Sequence, residues 1–159
     1  MRLRSVLSAS LAGVFAVLIS GVPVAAAADD PPPLEEEYDY PGAEKIFQEK
    51  GIRLKKGDGK ITLTDCPRTG VEGVLAVQRR TDGSPNQAGQ YCFKLAGNSG
   101  FITMELPKAY FAKGLFSTDV VLRTATETKT VRLNGQDWTP IGEGTGGPDA
   151  TLLEFRVTA

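Results

Sequence analysis

The stretch FITMELPKAYFAKGLFSTDVVLRTATETKTVRLNG, residues 101–135, decides the fold class. Its apolar residues recur at every second position. Ile102, Met104 and Leu106 share one face of an extended segment, because successive side chains of a strand point to opposite sides. DVVLRT (119–124) and TKTVRL (128–133) continue the alternation with β-branched residues. Asn134-Gly135 then marks a tight turn, since both residue types tolerate the positive φ of a type I′ hairpin. Only PKAYFAK (107–113) reads as helical, for a turn or two at most.

The same rhythm extends outward on both sides. IRL (52–54) and ITLT (61–64) flank Gly57-Asp58-Gly59, which reads as the turn of a first hairpin. VLAVQR (74–79) and YCFKL (91–95) form a long hairpin across the polar loop RTDGSPNQAGQ (80–90). DWTPI (137–141) follows the Asn-Gly turn, and TLLEFRV (151–157) places Leu153, Phe155 and Val157 on one face. So many short strands in about 110 residues predict an all-β domain over 46–159, an antiparallel β-sandwich or a small β-barrel.

Two segments precede that domain. Residues 1–28 read as a signal peptide: Arg2 and Arg4, an apolar run from Val6 to Val24, and small residues at 25–28, with cleavage after Ala28. Residues 29–45 read as a disordered acidic, Pro-rich linker, with seven acids from Asp29 to Glu44 and no base before Lys45. The chain after the leader carries 16 bases and 19 acids, a net charge of −3, whereas Lys45 onward carries 16 bases and 12 acids. An acidic arm is thus attached to a mildly basic domain. Secretion into the extracellular space is the expected destination, without a membrane anchor once the leader is removed. The Ala-rich leader and mixed charge are similar to those of secreted proteins of high-GC Gram-positive bacteria, a compositional likeness that assigns no function.

The two cysteines, Cys66 and Cys92, allow one pairing, and an oxidising compartment makes it a disulfide. Parity locates it. Ile61 and Leu63 share one face of their strand, and Tyr91, Phe93 and Leu95 one face of theirs, while both cysteines have the opposite parity. The bridge is therefore expected on the side away from those apolar stripes, or at a strand end, clamping neighbouring strands.

The chain contains no histidine. That removes His-based triads, Cys-His dyads, His-containing zinc sites and the usual general base. Paired cysteines supply no thiol nucleophile, and the glycines of GEGTGG (142–147) precede a strand rather than a helix, so they form no phosphate loop. Only a carboxylate-based hydrolase or a Ser-Lys arrangement remains as an enzyme, and no spacing marks a catalytic pair. RLKKGDGKITLTDC (53–66) matches half of a calcium loop at Asp58, Gly59, Ile61 and Asp65, but Leu54 and Lys56 stand where two oxygen ligands are needed. No metal or cofactor is expected.

The expected activity is therefore binding. Trp138 with Asp137 beside it is the first candidate, because an indole face stacks on sugar rings while a carboxylate accepts from hydroxyls. Tyr110 and Phe111 are the second pair. The expected ligand is a cell-envelope or extracellular polysaccharide, or another secreted protein. Nucleic acid is not expected, because the basic cluster Lys50, Arg53, Lys55, Lys56 and Lys60 lacks interleaved aromatics. That cluster fits an anionic polymer or the protein's own acidic arm.

DCPRTG (65–70) offers an alternative. Over these few residues the chain resembles the reactive loop of the secreted subtilisin-inhibitor family, where a disulfide-tied Cys-Pro pair precedes the residue that enters the protease pocket. The resemblance implies a serine-protease inhibitor with Arg68 in that position, Pro67 before it and Cys66–Cys92 as the brace. Thr69-Gly70-Val71 replaces the family's Tyr-Asp-Pro, and its second disulfide is missing.

Overall fold

The structure is a computed structural model and describes residues 36–84 and 87–159. The signal peptide expected over 1–28 and the first part of the acidic segment, 29–35, lie outside the described residues.

Among the described residues, eleven strands form two antiparallel sheets. They are β1 (Tyr38–Asp39), β2 (Arg53–Gly57), β3 (Ile61–Thr64), β4 (Leu75–Arg79), β5 (Gln90–Leu95), β6 (Gly100–Leu106), β7 (Ala109–Lys113), β8 (Ser117–Arg123), β9 (Thr128–Arg132), β10 (Thr139–Pro140) and β11 (Thr151–Thr158). Sheet 1 runs β1-β2-β6-β11-β8-β9 and sheet 2 runs β10-β7-β4-β5-β3. The described residues also form one helix, α1 (Ala43–Lys50), and a 3₁₀ turn at Gly142–Thr145. No helix among the described residues is long and apolar enough to cross a membrane.

The sheets pack face to face, as the alternation predicts. Ile102, Met104, Leu106, Val120, Leu122 and Phe155 of sheet 1 meet Ile61, Leu75, Val77, Tyr91 and Phe93 of sheet 2 in one core. Phe93 and Phe155 join the two layers, ring centroids 5.8 Å apart and tilted by 60°, a favourable aromatic geometry. The β4–β5 hairpin forms as read from the sequence, and β8 pairs with β9 in a second one.

Five readings are corrected. Gly57-Asp58-Gly59 does not close a hairpin: β2 belongs to sheet 1 and β3 to sheet 2, so the turn is a corner between layers. The corner is tight. A Cβ on Gly57 would lie 2.7 Å from the Phe101 carbonyl oxygen, and Gly59 has φ +80°. Asn134-Gly135 likewise carries the chain from β9 in sheet 1 toward β10 in sheet 2. Residues 107–113 are not helical; Lys108, at φ 61°, turns the chain into β7. A register shift between Gln78 and Arg79, opposite β7, breaks the period that would have revealed that strand. Leu153 leaves the core face, because a bulge between Leu152 and Glu154 makes Leu152, Phe155 and Val157 the buried residues. Finally, the acidic segment is ordered from Tyr38 onward. β1 pairs with β2, and α1 begins at Ala43 rather than leaving 36–45 as linker.

The ordered arm ties the two layers together. Glu37 pairs with Lys56 at 2.7 Å, and the Tyr40 N–H donates to the Lys55 carbonyl at 2.7 Å. The Tyr40 hydroxyl accepts the Leu63 N–H of β3 at 2.8 Å. At the far end of α1, Tyr91 donates to the Lys50 carbonyl and Arg79 to that of Gly51. These two satisfy the carbonyls that a helix end leaves open, and the Arg79 cation complements its dipole.

Candidate functional site

The outer faces of the two sheets differ in kind. That of sheet 1 is laced with ion pairs. Glu105 contacts Lys55 at 2.7 Å, with Arg53 and Arg123 at 4.0 Å each. Arg156 meets Glu154 at 2.7 Å, and Arg132 meets Asp119 at 2.9 Å. The Lys55 ammonium above all holds the Glu105 carboxyl below its ordinary range. Such a face is solvated and already satisfied.

Sheet 2 presents a cleft instead. The Cys66–Cys92 disulfide lies where parity placed it: Thr64 pairs with Cys92, and Cα66 is 5.1 Å from Cα92. Its sulfurs belong to a small apolar cluster with Val71, Val74, Ala76 and Trp138, separate from the main core. The bridge thereby pins the 65–74 loop over the outer face. Between this loop and Trp138 opens a cleft of about 400 Å³. Pro67, Gly70, Val71 and Glu72 form one wall and Trp138 the other, while Gln78, Gln90 and Lys113 make the floor.

Strand register explains this floor. Ala76 pairs with Lys113 and with Cys92, and Gln78 with Gln90, so their side chains share the outer face. Gln78 Nε2 donates to the side-chain Oε1 of Gln90 at 3.1 Å, and Gln90 Nε2 in turn donates to Cys92 Sγ at 3.7 Å. Thr139 pairs with Ala112, which brings the preceding Trp138 alongside Lys113. Two hydrogen bonds fix the approach to Trp138: Asn134 N–H to Thr139 Oγ1 at 2.9 Å, and Asp137 N–H to the Asn134 carbonyl at 3.1 Å.

The other candidates are dispersed. Asp137 is exposed and does not line the cleft. Phe111 lies opposite Gln78 in register, on the same face but outside the cleft, edge-on to Tyr110 at 5.4 Å. Tyr110 lines a different depression with Arg79, Arg80 and Glu143, where Arg80 is neutralised by Glu143 at 2.8 Å and Asp149 at 2.7 Å. Pro67 and Arg68 are exposed, Pro67 on the cleft wall. The two loop aspartates of the partial calcium match diverge: Asp58 accepts from Lys60 N–H at 3.0 Å, and Asp65 meets Lys50 at 3.3 Å. Lys113, Gln78 and Gln90 were not singled out by sequence. The parity of VLAVQR and YCFKL could have paired the two glutamines, but Lys113 lay in a segment read as helix.

No family model matches the chain, and no curated protein shows significant similarity to it.

Proposed function

We propose that this is a secreted, non-catalytic binding protein that holds a saccharide in the outer cleft of sheet 2. The observation that carries the reading is Trp138 as one wall of a cleft floored by two glutamine amides. The indole offers an apolar face to the C–H side of a pyranose ring, and amides offer both donors and acceptors to its hydroxyls. A volume of about 400 Å³ is within the range of small-ligand sites. The absence of histidine and the pairing of both cysteines support binding over catalysis, and the leader-like N-terminus supports export. Isothermal titration of a glycan panel tests the reading. Trp138→Ala is expected to weaken the best ligand about tenfold or more; an unchanged affinity would refute it.

A second reading concerns the loop itself. Pro67 to Gly70 is exposed, while the disulfide at Cys66 and buried Val71 hold its two ends. Such anchoring lowers the ordering cost of docking into a protease. Trypsin inhibition at micromolar concentration, lost in Arg68→Ala, is the expected outcome on this reading. Full trypsin activity would remove it.

A further inference from the structure

We infer that the cleft is built for an acidic saccharide, one whose ring carries a carboxylate that pairs with Lys113. The inference rests on the saccharide reading above and narrows its ligand class.

Lys113 is an unusual lysine. It is only 9% exposed, and lysines that deeply covered are ordinarily paired. Yet it forms no ion pair or hydrogen bond among the described residues, neither with Glu72 across the cleft nor with Asp137. The backbone dictates where it points. Ala112 is buried in the main core, so Lys113 faces outward, opposite Ala76 of the outer cluster. Lys113 lines the cleft, and a long lysine stem can be covered while its charged head stays in water.

A ligand that fills the cleft displaces this water. A neutral sugar would leave a desolvated cation without a counter-charge, which is strongly unfavourable. A sugar carboxylate would restore the charge balance and form a charge-assisted hydrogen bond. The Gln78–Gln90 pair beside it supplies amides for neighbouring hydroxyls, and Trp138 the stacking face. Glu72 on the opposite wall favours one negative charge over the two of a phosphate monoester.

The test compares oligogalacturonate with the same oligomer after reduction of its carboxyl groups, by calorimetric titration of the full chain. Wild type is expected to bind the acidic oligomer at least tenfold more tightly. Lys113→Gln should abolish that preference, and Lys113→Arg should preserve most of it. Equal binding of the two oligomers by wild type would overturn the inference while leaving the saccharide reading intact. Binding of neither oligomer, nor of any neutral glycan, would sink both. An equal loss in Lys94→Gln, whose lysine is an exposed residue of β5, would reduce the effect to bulk charge and overturn the inference too. The wild-type comparison needs no variant, so a misfolded Lys113 substitution would not obscure the answer.

Discussion

At the scale of the residue, Tyr91 carries more than its place in the core. It is 3% exposed, and its hydroxyl donates to the Lys50 carbonyl at the end of α1. Burial raises its pKa above the ordinary 10.0, although Arg79 pulls the other way. The unfolded chain therefore loses this proton at lower pH than the folded one. The contribution is whole below about pH 10 and is lost as pH rises from there through the folded pKa. Urea denaturation between pH 8 and 12 should show stability declining on the alkaline side. Tyr91→Phe should be less stable by about 1 kcal/mol at neutral pH and show a shallower alkaline decline. The residue scale is also where sequence reading met its limit. Trp138 could be singled out because tryptophan is conspicuous in any chain. Lys113 could not, because its meaning comes from burial without a partner, and burial there depends on a register that the Gln78/Arg79 irregularity conceals.

At the scale of the element, strands were more legible than their connections. β6, β8 and β9 follow from alternation, since a half-buried strand repeats with period two, and β4 and β5 from short apolar runs that are covered on both faces. Turn residues identify where the chain reverses but not which layer it enters next. Gly57-Asp58-Gly59 and Asn134-Gly135 have hairpin composition, and both change sheets. α1 was missed because its apolar positions are few; Ala43, Ile46 and Phe47 supply one side of two turns. Gly51 at φ 69° after Lys50 is the stop signal that could have exposed it. The 65–74 loop is the element on which the site depends, and its anchor is covalent. Reduction of Cys66–Cys92, whose sequence separation is 26, should lower stability by about 3.5 kcal/mol in the chain-entropy account. Denaturation with and without reductant measures this, and amide exchange at Val71 and Glu72 should rise in the same samples. Unchanged exchange there would mean that packing alone holds the wall.

At the scale of the molecule, the described part of the acidic segment, from Glu36, belongs to the domain. The charge asymmetry was visible in the sequence, and so was the fit of the acidic arm to the basic cluster of Lys50, Arg53, Lys55, Lys56 and Lys60. Order from Tyr38 was not, because the composition of 29–45 resembles that of segments unable to bury themselves. The arm compensates by borrowing: β2 lends it a backbone ladder, Lys56 a counter-charge, and β3 a donor for Tyr40. Glu37 above all raises the Lys56 pKa. Lys56→Glu would replace that attraction with repulsion toward Glu37 and Asp39. Limited proteolysis should then cut faster around Tyr38–Tyr40, while the near-ultraviolet circular dichroism of the core stays unchanged. Cleavage at the wild-type rate would show that backbone pairing holds the arm without help from charge.

The strand order has one more consequence, for self-association. A two-layer sandwich has four lateral margins, each a template on which another chain could add a strand. Here β1 is two residues long and flanked by acids, and β10 is two residues long and contains Pro140. The margin at β3 is partly occupied by the Tyr40 hydroxyl, and β9 bears Lys129 and Arg132. Among the described residues none of the four offers a long, uncharged run of free amides, so strand addition at these margins is disfavoured.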